Sequence, residues 1–205
     1  MKIQHYNQYF LSITLLAFLL TACGEDKLSP LSHSDAVLAF GDSLTIGVGV
    51  TQNHSYPSVL EKLSGRTVVN AGISGETTEE GLLRFDQTLE AAQPALVILL
   101  EGGNDILRNM SSAKTKNNLA QMIITAKEYG AEVVLIGVPE KSLFSDAHPM
   151  YAELARQHDV ILIDDIISSL LKKPKYKSDS VHFNVAGYRQ LAKTVYEVLR
   201  DNGAL

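Results

Sequence analysis

Cysteine is nearly absent: Cys23 is the only one in 205 residues, so no disulfide can form within the chain. The sequence also lacks the patterns of several function classes. There is one thiol and no H-x-x-x-H pair, so no catalytic metal is implied. No G-x-x-x-x-G-K-[ST] loop occurs, and the run from Gly47 and Gly49 breaks G-x-G-x-x-G at Gln52, so neither a phosphate cradle nor a dinucleotide fingerprint is present. No cofactor is implied. The formal net charge of −5 provides no electrostatic footprint for nucleic acid. Long apolar runs are scarce too. The longest, Tyr9 to Leu20, is about 12 residues, short of the roughly 20 that a membrane-crossing helix needs.

That apolar stretch follows Lys2 and ends in Leu20-Thr21-Ala22-Cys23, which looks like a signal peptide with a small-residue cleavage point. The L-T-A-C order resembles a bacterial lipobox. The resemblance implies a lipid on Cys23 as the first mature residue. With Gly24 rather than aspartate next, it also implies an outer-membrane anchor facing the periplasm. Ordinary cleavage near Ala22, giving a soluble periplasmic product, is the alternative. Removing residues 1–22 takes away Lys2 and no acid, so the mature chain is one charge more negative and is not drawn to anionic headgroups. Residues 24–34 are polar, carry one proline and three serines, and read as a flexible tether. The expected division is therefore a signal peptide at 1–22, an anchor and tether at 23–34, and one domain at 35–205.

With 45% hydrophobic and 20% charged residues over its full 205 positions, the chain can bury a sizeable core. From Ala36 onward, short apolar runs alternate with helical patterns: 36–40, 67–70, 95–100, 132–138 and 159–163. Each is rich in Val, Ile and Leu without strict polar alternation, as strands buried on both faces require. The intervening segments of about 12 to 20 residues are long enough for crossover helices. Asn184 can cap the last helix, whose Tyr188, Leu191, Ala192, Val195 and Leu199 fall on one stripe. The expected fold is α/β: a three-layer α/β/α sandwich with a five-stranded parallel sheet, which places its site at the carboxyl ends of the strands.

Four loops at those ends carry chemistry. Ser43, in Gly41-Asp42-Ser43-Leu44-Thr45-Ile46-Gly47, would sit at a helix start where free N–H groups face a ligand, although a serine there is equally a helix cap. Gly75, in Asn70-Ala71-Gly72-Ile73-Ser74-Gly75-Glu76-Thr77, can bring its N–H close to a ligand, or can serve only a positive φ. Asn104, after Glu101-Gly102-Gly103, offers a carboxamide donor to a developing oxyanion, or an Asx turn. Asp179 lies three residues before His182, so its carboxylate can hold imidazole Nδ1 and leave Nε2 to take a serine proton. A plain surface pair has the same spacing. Asp146 and His148 compete with that pair and rank below it. No G-x-S-x-G elbow surrounds Ser43 or Ser74, which argues against an α/β-hydrolase.

Together and in this order, GDSLTIG, NAGISGET, EGGNDILR and DSVH resemble the four blocks of the GDSL or SGNH hydrolase family, over a match running from about Ala36 to the end. Within that family the sequence is most similar to the bacterial periplasmic thioesterase, arylesterase and lysophospholipase branch. The resemblance implies Ser43 as nucleophile, His182 as base and then acid, and Asp179 as orienting carboxylate. The Ser43 and Gly75 N–H groups and the Asn104 side chain would form the oxyanion hole, while Asp42 and Asp105 support the loops. Leu107 and Met110 follow the asparagine and are candidates for an acyl pocket. The implied substrate is a small-molecule acyl ester or thioester. A carbohydrate O-deacetylase using the same residues, and a non-catalytic envelope lipoprotein acting as a binding module, are the alternatives. Oligomeric state is not legible.

Overall fold

The computed structural model describes residues 28–140 and 146–205. The signal peptide and Cys23 lie outside the described residues. Five strands form one sheet: β1 (Ala36–Gly41), β2 (Thr67–Gly72), β3 (Leu96–Leu100), β4 (Glu132–Ile136) and β5 (Ile161–Ile163). All pairings are parallel and the order is β2-β1-β3-β4-β5. The helices are α1 (Ser43–Ile46), α2 (Tyr56–Ser64), α3 (Thr78–Ala92), α4 (Gly103–Leu107), α5 (Ser112–Glu128), α6 (Pro149–His158), α7 (Ile166–Leu171) and α8 (Val185–Asp201). Contacts of α2 and α7 with α8, and of α5 with α3 and α6, group them into two layers around the sheet. This is the expected α/β sandwich.

All five expected runs form strands, and the differences fall at their ends. β3 and the inner residues of β1 and β4 are fully buried because helices cover both faces. β2 is an edge strand, and its Val69, Asn70 and Ala71 are only half-buried. Asp159, expected to open β5, instead ends α6 in the left-handed conformation at φ 48°, its N–H donating to the Ala155 carbonyl. A short polar side chain tolerates that geometry, so the cap outcompetes the strand. Helix starts follow their side chains. Thr77 and Glu80 form a capping box on α3, and Asn184 accepts from Gly187 N–H at 3.1 Å to start α8, whose predicted stripe is buried.

The segment expected to be tether is docked from Leu28 onward. Leu28 and Leu31 are 6% and 7% exposed, and their N–H groups donate to the carbonyls of Asn202 and Ala204 at 3.0 and 2.9 Å. The Ser29 N–H donates to the Glu132 carboxylate at 3.0 Å. Burying each leucine is worth about 1.5–3 kcal/mol, which offsets the entropy of ordering this short stretch. Composition hid this, because two leucines among polar residues show no periodicity. Glu132 begins β4, so the chain enters the fold at the amino ends of the strands.

The strand order reverses between β1 and β3, and a parallel sheet opens a crevice beyond its carboxyl ends at such a point. Ser43 follows β1 and Asn104 follows β3. β1 ends in glycine for a steric reason: a Cβ on Gly41 would lie 2.0 Å from the Leu100 carbonyl oxygen.

Candidate active site

A cleft of about 240 Å³ opens at this reversal point, and Ser43, Gly75, Asn104 and His182 all line it. Sequence separations of up to 139 residues are thus closed by topology alone. Asp42 is the cap of α1, its carboxylate accepting from the Leu44 N–H at 3.0 Å. The capping role open to Ser43 is therefore filled by its neighbour, and the Ser43 hydroxyl is left to the cleft. As the first residue of α1, Ser43 presents its N–H at the helix start.

His182 sits in a small loop closed by the Ser178 N–H donating to the His182 carbonyl at 3.0 Å and by an antiparallel bridge of Lys177 with Phe183. The next residue, Phe183, is fully buried edge-on to Tyr188, whose hydroxyl donates to the Val48 carbonyl at 2.8 Å. That anchor fixes the imidazole relative to the loop after α1. Asp179 Oδ2 meets His182 Nδ1 at 2.8 Å, and Oδ1 accepts from the Val181 and His182 N–H groups at 2.9 and 2.8 Å. Partial burial pushes this carboxyl up, but the bonds from the ring and the two amides outweigh it and hold it down at about 2. Asp179 is therefore a carboxylate near neutrality, and Nδ1 carries the hydrogen it accepts. Among the described residues no hydrogen bond joins Ser43 to His182; the two share the cleft.

Gly75 has φ 81°, so the conformational need weighed for it is real, and its loop lines the cleft as well. Asn104 makes no Asx turn. Its Nδ2 donates to the Glu76 carbonyl at 2.8 Å and, at a longer 3.3 Å, to Asp42 Oδ2. Asp105 is buried and accepts from Thr78 N–H and from the Thr78 and Thr115 hydroxyls, tying α4 to the starts of α3 and α5. Asp42 and Asp105 thus do the loop support expected of them. His148 caps α6, accepting from the Met150 N–H at 3.2 Å, and is not among the cleft residues.

Four acids, Asp42, Glu76, Glu101 and Asp105, are buried in this region, and Asp42 lines the cleft itself. Glu76 is paired with Arg84, whose guanidinium also stacks 4.0 Å from the Phe40 ring centroid. Burial pushes Asp42 up to about 6, against the opposing pull of the Leu44 N–H and of His182. Burial, with Asp42 next, drives Glu101 well above the carboxylate range.

Of the two residues named for an acyl pocket, the structure brings one to the cleft. Leu107 lines the cleft; Met110 does not, because its N–H turns back to the Asp105 carbonyl at 2.8 Å and ends α4. The rest of the apolar wall is Ile106, from the same stretch that follows Asn104, with Leu44, Val138, Ile167 and Leu171, which the sequence did not point to as a wall. The one usable signal was the i, i+4 spacing of Ile167 and Leu171.

Residues 39–190 match the model of the GDSL-like Lipase/Acylhydrolase family. An arylesterase of Vibrio mimicus is 35% identical over 82% of this chain and 87% of its own length. The thioesterase 1/protease 1/lysophospholipase L1 of Escherichia coli is 31% identical over 74% of this chain and 76% of its own. A crystal structure of TesA superposes with a TM-score of 0.74 at 28% identity, covering 82% of this chain and 99% of that one. The chain thus belongs to the GDSL-like lipase/acylhydrolase family and is a carboxylic ester hydrolase of the esterase, thioesterase and lysophospholipase kind.

Proposed function

We propose that the chain hydrolyses esters and thioesters of short to medium acyl groups through an acyl-enzyme on Ser43. The observation that carries this is the division of labour at α1: Asp42 takes the capping bond, leaving the Ser43 hydroxyl in one cleft with an imidazole that Asp179 holds by Nδ1. His182 Nε2 takes the Ser43 proton as Oγ attacks the acyl carbon, and Asp179 stabilises the imidazolium. The oxyanion accepts from the Ser43 and Gly75 N–H groups and from Asn104, whose 3.3 Å contact with Asp42 is the weaker of its two and the one exchanged. The imidazolium returns its proton to the departing alcohol or thiol. Water then repeats the sequence and frees the acid.

The apolar wall of Ile106, Leu107, Val138, Ile167 and Leu171 suits an acyl chain of several carbons better than an acetyl group on a polar sugar. A lipid on Cys23 holds the enzyme at the cell envelope. The first described residues, from Leu28, dock at the sheet end opposite the cleft.

Rates across p-nitrophenyl esters from acetate to palmitate test the substrate reading, with a maximum expected at intermediate chain length; confinement to acetate would sink it. A fluorophosphonate adduct on Ser43, lost in Ser43→Ala, tests the nucleophile. The mass of the mature amino terminus tests the anchor.

A further inference from the structure

Two consecutive carbonyls of the Gly75 loop are held by two residues of one helical turn. Asn104 Nδ2 donates to the Glu76 carbonyl at 2.8 Å, and Arg108 Nη2 donates to the Gly75 carbonyl at 2.7 Å. Arg108 ends α4, and its own N–H donates to the Asn104 carbonyl at 2.9 Å. Residues four apart on a helix face the same side, which is why both reach the same loop.

Backbone bonds close the loop, the Glu76 N–H donating to the Ile73 carbonyl at 3.3 Å and the Ile73 N–H to the Gly41 carbonyl at 3.0 Å, and Arg108 is the side chain that holds the Gly75 carbonyl. Ile73 and Ser74 are exposed. Around Gly75, the one neighbour a Cβ would meet within 4 Å is the Arg108 guanidinium itself, at 3.7 Å. A glycine at φ 81° with open space beside it is free to rotate unless its peptide groups are held. The adjoining residue Leu107 is in the cleft wall. Arg108 therefore stands where the acyl-facing end of α4 meets the loop that carries an oxyanion donor.

We infer that Arg108 is a positioning residue: it fixes the Gly75 peptide so that the Gly75 N–H and the Asn104 carboxamide converge on one point beside Ser43. This rests on the oxyanion-hole reading above and adds to it a residue that touches neither substrate nor reacting atoms. A planar, permanently charged donor suits the task, since it keeps its bond to a carbonyl at any working pH.

The test is a set of Arg108 variants assayed on p-nitrophenyl butyrate. Removing an oxyanion donor outright costs about 10²–10³ in kcat, so loosening one is expected to cost Arg108→Ala about ten- to thirty-fold in kcat, with KM within about twofold. Affinity for n-butylboronic acid, whose tetrahedral adduct mimics the intermediate, should fall by the same factor as kcat. Arg108→Lys should retain part of the activity, and guanidinium ion should restore part of it to Arg108→Ala. The Arg108 side chain is exposed, so thermal unfolding should be close to the parent's and would expose a folding defect.

Unchanged kcat in Arg108→Ala would overturn the inference. So would a loss confined to KM that varies with acyl length, which would make Arg108 a substrate contact. An intact enzyme inactive on every ester, or active in Ser43→Ala, would instead remove the underlying catalytic reading.

Discussion

At the carboxyl ends of the strands the chain buries Asp42, Glu76, Glu101 and Asp105, whereas at the amino ends it buries Leu28 and Leu31 and bonds them to carbonyls just past α8. The polar end leaves Glu101 Oε1 buried with no hydrogen-bond partner among the described residues. A buried acceptor left unpaired is unfavourable. At the amino ends apolar packing predominates, although Arg66 Nε and His158 Nε2, just ahead of β2 and β5, are also buried without a hydrogen-bond partner among the described residues. One sheet thus separates the candidate site from the apolar dock of the first described residues, and substitutions at the two ends should affect different measurements.

The sharpest break should come from Asp179→Asn. It keeps the shape but removes the carboxylate that holds the Nδ1 hydrogen, and should lower kcat by up to about 10⁴ with a far smaller loss of stability. Steady-state kinetics beside a thermal melt would decide. Because Asp179 titrates at about 2, its contribution to stability is present above the unfolded value near ~3.9 and is lost only as pH falls toward 2. No feature of an activity profile above about pH 5 should then report its protonation.

Asn104→Ala ranks next, with an expected loss of about 3–4 kcal/mol in transition-state stabilisation that appears in kcat rather than KM. At the opposite end, Leu31→Ala should cost about 2 kcal/mol of stability in a denaturant titration and leave kcat within about twofold. A large drop in kcat from Leu31→Ala would erase the division between the two ends.

The smallest effect is on pH dependence. Asp42 and Glu101 hold protons more tightly folded than unfolded, so their contribution is fully present below the unfolded values near ~4 and is lost as pH rises through the folded ones, about 6 for Asp42. Unfolding free energy should therefore rise by roughly 1–3 kcal/mol from pH 8 to pH 5. Stability flat across that range would mean that these acids ionise without cost.

Much of this was legible beforehand. Runs such as Leu96–Leu100 and Val133–Ile136 read as central strands because strands covered on both faces leave no polar alternation. The candidate site residues could be named because a parallel sheet puts its loops at one end, so chemistry-bearing residues after successive strands must converge. The misreadings have local causes: the left-handed cap at Asp159, the turn that withdraws Met110, and the docking of Leu28 and Leu31.

The sequence by itself pointed to the family, the order of strands along the chain and the candidates Ser43, Gly75, Asn104, Asp179 and His182, since each depends on residue type within a few neighbours. Only the tertiary structure decided that Asp42 and not Ser43 caps α1, that Ile167 and Leu171 wall the cleft with Leu107, and that Arg108 reaches Gly75. Those outcomes depend on which of several equally competent partners lies closest once distant segments are packed, and neither composition nor spacing encodes that distance.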